Sequence, residues 1–86
     1  MNLQSKVFIL RQYERYCYQI SLFITQDEQQ SIKVAQSALL ELATDPLFFE
    51  VSQHEQLVRV RKESMRSSLR WYSENLSKER LTKQPT

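Results

Sequence analysis

The 86-residue chain carries 12 Lys+Arg against 10 Asp+Glu, a formal net charge of +2, and holds no Gly, 2 Pro, 1 Cys and 1 His. That length fits one domain with a small core and leaves no room for a separate catalytic domain. A lone Cys forbids an internal disulfide framework, absent Gly excludes glycine-rich phosphate loops, and one Cys with one His cannot complete a typical zinc site. Apolar runs last only a few residues, against the ~20 needed to cross a bilayer, and no basic-then-apolar leader opens the chain. The expected compartment is the cytoplasm.

The first apolar-periodic stretch runs from about Leu3 to Ile24. At 100° per residue, Ile9, Leu10, Tyr13, Tyr16, Cys17, Ile20, Phe23 and Ile24 share one face, the expected buried side of a helix. The other side mixes Val7, Phe8, Tyr18 and Leu22 with Arg11 and Arg15. So much apolar surface implies either packing on two sides or a partner, and makes these four residues a candidate oligomer or partner face.

A second helix is expected from about Asp27 to Thr44, with Thr25 or Asp27 as its cap and Asp27 and Glu28 at the positive end of its dipole. Its apolar arc is Ile32, Val34, Ala35, Ala38, Leu39, Leu42 and Ala43. The opposite side holds Lys33, Gln36, Ser37, Leu40, Glu41 and Thr44, among which Leu40 is a large apolar residue in a polar setting. Asp45-Pro46 ends the helix and caps a short further turn through Leu47, Phe48, Phe49 and Glu50, whose Phe pair plugs the end of the core.

Ser52-Gln53-His54-Glu55 is a capping-box pattern that opens a third helix reaching about Leu81. Leu57, Val58, Met65, Leu69, Tyr72 and Leu76 form its expected apolar arc, and Arg59, Lys62, Arg66 and Arg70 form a stripe on the other side. The polar residues 82–86 read as a frayed tail, leaving 1–81 as a single all-α domain: a three-helix bundle-like arrangement with a short linking helix. Charge is uneven. Residues 1–50 hold 4 basic and 6 acidic groups, net −2; residues 51–86 hold 8 basic and 4 acidic, net +4.

No catalytic, metal or cofactor constellation emerges. His54 sits in a solvent-facing first turn, Cys17 falls on a buried face, and the scattered carboxylates lack the repeated Glu-x-x-His pattern of a di-iron bundle. The chain is therefore not expected to be an enzyme. The cationic stripe is the electrostatic footprint of a nucleic-acid contact, with Trp71 available to stack on unpaired bases.

The segment from Tyr13 to Glu28, continuing from Ser31 to Leu42, resembles region 2 of bacterial RNA polymerase sigma factors of the sigma-70 family, especially the short extracytoplasmic-function type. The family pattern is a helix with spaced aromatics, a turn containing Asp, then a helix with a Gln and an apolar pair. Asp27, Gln36 and Leu39-Leu40 match it, and the resemblance spans roughly residues 10–50. Lys33 and Ser37 stand where the family has acidic residues, and the lone Trp71 lies far down the third helix. The resemblance implies docking on the clamp helices of the polymerase β′ subunit through Lys33, Gln36, Ser37, Leu40 and Glu41. It also implies promoter DNA near Arg59, Lys62, Arg66, Arg70 and Trp71, and a second sigma-like subunit to supply the −35-reading region. The alternative from a different class is a helical adaptor or homodimeric bundle without nucleic-acid binding.

Overall fold

The computed structural model describes residues 2–82, with side-chain surroundings through Leu76. Three helices, α1 (Leu3–Thr25), α2 (Glu28–Ala43) and α3 (Gln53–Thr82), pack against one another, and a 3-10 turn over Pro46–Phe49 links α2 to α3. This is the all-α arrangement that the periodicity predicts, and no strand occurs among the described residues. Of the expected polar tail, Thr82 closes α3, and residues 83–86 lie outside the described residues.

The element boundaries follow from capping chemistry. Asn2 accepts a hydrogen bond from the Ser5 N–H at 2.8 Å, Asp27 one from Gln30 at 3.0 Å, and Asp45 one from Leu47 at 3.0 Å. Ser52 accepts one from the Glu55 N–H at 3.2 Å. Each side-chain oxygen satisfies one of the N–H groups that a helix start leaves unpaired. Glu55 does not close the reciprocal half of a capping box; its carboxylate faces Arg59 at 3.4 Å. Helix α1 ends in Gln26 at φ 54°, a left-handed cap whose N–H returns to the Leu22 carbonyl at 2.8 Å. Glycine usually takes that position, because a Cβ costs roughly 1 kcal/mol there.

The bonds between elements set helix directions. Tyr13 lies beside Gln56 and Ser21 beside Ser68, so α1 and α3 run parallel. Gln30 meets Trp71 while Asp45 meets Arg59, so α2 runs against α3. The core holds Cys17, Ala35, Leu42, Phe48, Phe49 and Val60, with Ala38 and Val34 beside them. Phe48 is fully buried, edge-on to Tyr13 at 6.1 Å and to Phe49 at 5.2 Å, and the Lys6 ammonium sits 5.3 Å from the Phe49 ring centre. The Phe pair plugs the end of the core, as its position after Asp45-Pro46 implies.

Helix rotation departs from the periodicity. In α3 the inward residues are Gln56, Val60, Ser64 and Ser68, whereas Leu57, Met65, Leu69, Tyr72 and Leu76 are exposed and only Val58 of the expected arc is half-buried. In α1 Phe23 is 82% exposed rather than buried, and in α2 Ile32 is exposed. Tyr18 and Leu22, expected on an outer face, are half-buried because α1 is packed on two sides. The physical reason is helix spacing: serine lets α3 approach α1 closely, and polar anchors fix its rotation. Ser68 donates to its own helix at the Ser64 carbonyl at 2.6 Å and also lies 3.3 Å from the Ser21 hydroxyl.

Two substitutions should move stability in opposite directions. Phe48→Ala empties the plug and is expected to cost about 3–5 kcal/mol, a large part of a small domain's stability. Ser64 Oγ is buried with no hydrogen-bond partner; Ser64→Ala removes that desolvated hydroxyl and should stabilise by about 1 kcal/mol. Urea titration at constant m-value measures both.

Candidate docking and nucleic-acid interfaces

Three helices packed side by side leave three surface grooves, each lined by two of them. They differ in chemistry, because each helix contributes a different edge to each.

The α1/α2 groove is an open depression of about 450 Å³ lined by Val7, Leu10, Arg11, Glu14, Gln36, Leu39, Leu40 and Ala43. Gln36 and Leu40 stand one helical turn apart on the outer edge of α2, and Leu40 is 69% exposed. Leu40 is therefore not isolated among polar groups. Across the groove it continues into Val7, Leu10, Leu39 and Ala43, an apolar strip rimmed by Arg11 and Glu14. A second depression further along the same groove is lined by Arg15, Tyr18 and Ile32.

The structure thus divides the sequence-derived sets differently. Gln36 and Leu40 share the α1/α2 groove with Val7. Lys33 and Ser37 line the α2/α3 groove, and Glu41 is exposed on α2. Of the candidate partner face on α1, Val7 and Phe8 are exposed, while Tyr18 and Leu22 are half-buried against the rest of the chain. Those four residues do not form one free face.

The α2/α3 groove brings Lys33 and Ser37 beside Arg70, Trp71 and Glu74. Trp71 is half-buried, and its indole N–H donates to Gln30 Oε1 at 3.1 Å, which holds the ring at the groove's edge. Of the cationic stripe, Arg59 folds back: its guanidinium lies 3.2 Å from Asp45 and 3.4 Å from Glu55, on a side chain one-third exposed. These pairs fasten the start of α3 to the end of α2, and they leave Arg59 turned toward its own chain. Lys62, Arg66 and Arg70 are exposed, with Arg66 in a loose 3.8 Å pairing to Glu63. Three outward cations and one edge-on indole remain as the candidate nucleic-acid contact.

The α1/α3 groove is the one that sequence reasoning did not single out. It is a shallow depression of about 550 Å³ lined by Tyr16, Gln19, Ile20, Phe23, Ile24, Arg61, Met65 and Leu69. The signal for it was present as the four-residue spacing of Val60, Ser64 and Ser68, small side chains that suit close helix contact better than Met65 or Leu69 do.

Cys17 is fully buried, and burial pushes its thiol above the usual 9.0, with Glu14 acting in the same direction. Burial also pushes the Tyr13 phenol above 10.0. Among the described residues no three His, Cys, Asp or Glu gather as a metal-binding group, and no helix is long and apolar enough to cross a membrane. No protein-family model, no curated protein and no solved structure matches the chain.

The raised thiol gives a pH test. The unfolded thiol ionises near 9.0 and the native one above it. The native advantage is therefore whole below 9.0 and is lost as pH climbs through the raised native value, at most about 1.4 kcal/mol per pH unit. Stability measured in urea should hold up to pH 9 and fall above it, and Cys17→Ala should flatten that fall. At pH 8 a thiol reagent should modify Cys17 roughly a hundredfold more slowly in the native protein than in urea.

Proposed function

We propose that the chain docks on the core of RNA polymerase, at the β′ clamp helices, through the outer edge of α2, in the manner of region 2 of the sigma-70 family. One observation carries this reading. Gln36 and Leu40, two of the residues that match the family pattern, are exposed one turn apart at the rim of an open, partly apolar groove. An apolar side chain ringed by groups that exclude water on binding is an arrangement in which interface energy can concentrate. Arg11 and Glu14 around it supply charges of both signs to set orientation. The three-helix arrangement and the Asp27 turn agree with the same resemblance.

The exposed cations Lys62, Arg66 and Arg70 lie on α3, a different helix from the docking edge. In this reading they face promoter DNA, with Trp71 beside them, while a separate sigma-like subunit provides the remaining promoter contacts. The chain then takes part in transcription initiation or its regulation as one piece of a divided sigma function.

Capture of the full chain by a purified β′ clamp-helix fragment tests the docking. Wild type should bind at micromolar concentration, and Leu40→Glu and Gln36→Ala should each weaken binding about tenfold or more, a loss of about 1.4 kcal/mol. Absence of wild-type binding at about 50 μM, well above typical regulatory affinities, would sink the proposal. Separately, single-stranded DNA should quench Trp71 emission, with a log–log salt slope of about −2 for three phosphate contacts. Lys62→Ala should reduce that slope without touching clamp-helix capture.

A further inference from the structure

Among the described residues, the α1/α3 face and the far half of α3 carry a run of exposed large apolar side chains. Phe23 is 82% exposed, Leu69 53% and Tyr72 50%, and Met65 and Leu76 are exposed beside them. On α3 the residues Met65, Leu69, Tyr72 and Leu76 follow one another at intervals of 4, 3 and 4. That is the spacing of a coiled-coil seam, which keeps one stripe facing a partner helix. The helix also outlasts its own bundle. Trp71 and Tyr72 stand level with Gln30 and with the α1–α2 turn at Thr25 and Gln26. The residues of α3 after Tyr72, through Thr82, therefore run past the turn, about 15 Å of helix that α1 and α2 do not reach. The molecule is accordingly 57 Å long and only 21 by 20 Å across.

We propose that a second copy of the chain covers this face, with α3 of each copy packed antiparallel to α3 of the other and Phe23 seated at the edge of the seam. Three observations favour a second copy. The stripe has one period along its length, so it is complementary to itself, as an isologous two-fold interface requires. Its area is sufficient. Large side chains bury roughly 150–250 Å² each, so the exposed parts of these five residues amount to roughly 500 Å² per copy. Two copies with the flanking Tyr16, Ile20, Ile24 and Arg61 then reach roughly 1,200 Å² in total, the lower end of stable specific interfaces. Charge sets the direction. A parallel pair would place Arg61, Lys62 and Arg66 of both copies side by side, whereas an antiparallel pair with Leu69 opposite Tyr72 separates the two Arg61 by about 28 Å of helix and the two Arg66 by about 13 Å. The α2 edge with Gln36 and Leu40 lies outside this face, so dimerisation leaves the docking edge open and does not depend on it.

Sedimentation velocity of the full chain between about 5 and 200 μM, spanning micromolar affinity, decides the matter. A concentration-dependent dimer is expected for wild type. Leu69→Glu and Met65→Glu, at exposed positions where unfolding is not expected, should shift dissociation at least tenfold with unchanged helical circular dichroism. Leu40→Glu should leave the dimer intact. Combining Leu69→Cys with Tyr72→Cys in a Cys17→Ala background should give an oxidised covalent dimer, and Leu69→Cys alone should give less. A monomer throughout the concentration range overturns the proposal. So does a dimer that survives Leu69→Glu and Met65→Glu or is lost in Leu40→Glu, because the contact would then lie on another face. Equal cross-linking by Leu69→Cys alone overturns the antiparallel arrangement.

Discussion

Gln56 is buried and uses both ends of its amide. Its Oε1 accepts from the Tyr13 hydroxyl at 2.9 Å, and its Nε2 donates to the Phe48 carbonyl at 3.1 Å. One side chain of α3 thereby joins α1 to the 3-10 turn at the closed end of the core. A buried amide left unpaired would cost about 1–3 kcal/mol, so these bonds weigh most against competing arrangements. Turning α3 about its axis would break both. The rotation of α3 that they select places Val60, Ser64 and Ser68 inward and turns Met65, Leu69 and Tyr72 out.

Trp71 and Ser68 repeat the device further along the helix. The indole N–H is held by Gln30 of α2, and the Ser68 hydroxyl by its own helix near Ser21 of α1. Polar anchors thus occur along α3 at Gln56, about three turns further on at Ser68, and about one turn beyond that at Trp71. Between them the core is made of small residues and one valine. Its strongest apolar packing is concentrated at one end, around Phe48, Phe49, Leu42 and Cys17. Such a core holds a defined helix rotation through hydrogen bonds where apolar burial alone would favour another.

The consequence for function is a division of labour among edges. Helix α2 presents a small apolar anchor with polar neighbours, α3 presents Arg70 and the Trp71 ring edge on its α2 side, and α1 with α3 presents an apolar strip flanked by Arg61. Arg59 belongs to none of these, because Asp45 and Glu55 draw it back to the base of the bundle. A cation is spent there on fixing how α3 leaves the linking turn. Exposed pairs of this kind are worth well under about 1 kcal/mol each, so their role is geometric more than energetic.

Local chemistry made the elements legible from residues alone. Asp27, Asp45-Pro46 and Ser52 announce their helix starts, because a capping oxygen or a proline constrains only its immediate neighbours. The Phe plug was legible for the same reason. Asn2 and Gln26 were less so, since the chain has no glycine to mark the left-handed cap. The membership of the α2 outer edge followed from helical spacing, but its apolar continuation into Val7 and Leu10 required α1 to lie alongside. Tertiary structure alone decided which stripe of α3 faces inward. Periodicity counts apolar side chains and so assigned Leu57, Met65, Leu69 and Tyr72 to the core. The observed choice rests on Gln56 finding Tyr13 and Phe48, and Trp71 finding Gln30, partners 43, 8 and 41 residues away in the chain. Hydrogen bonds between distant residues have no local signature, and here they outweigh the apolar pattern that does.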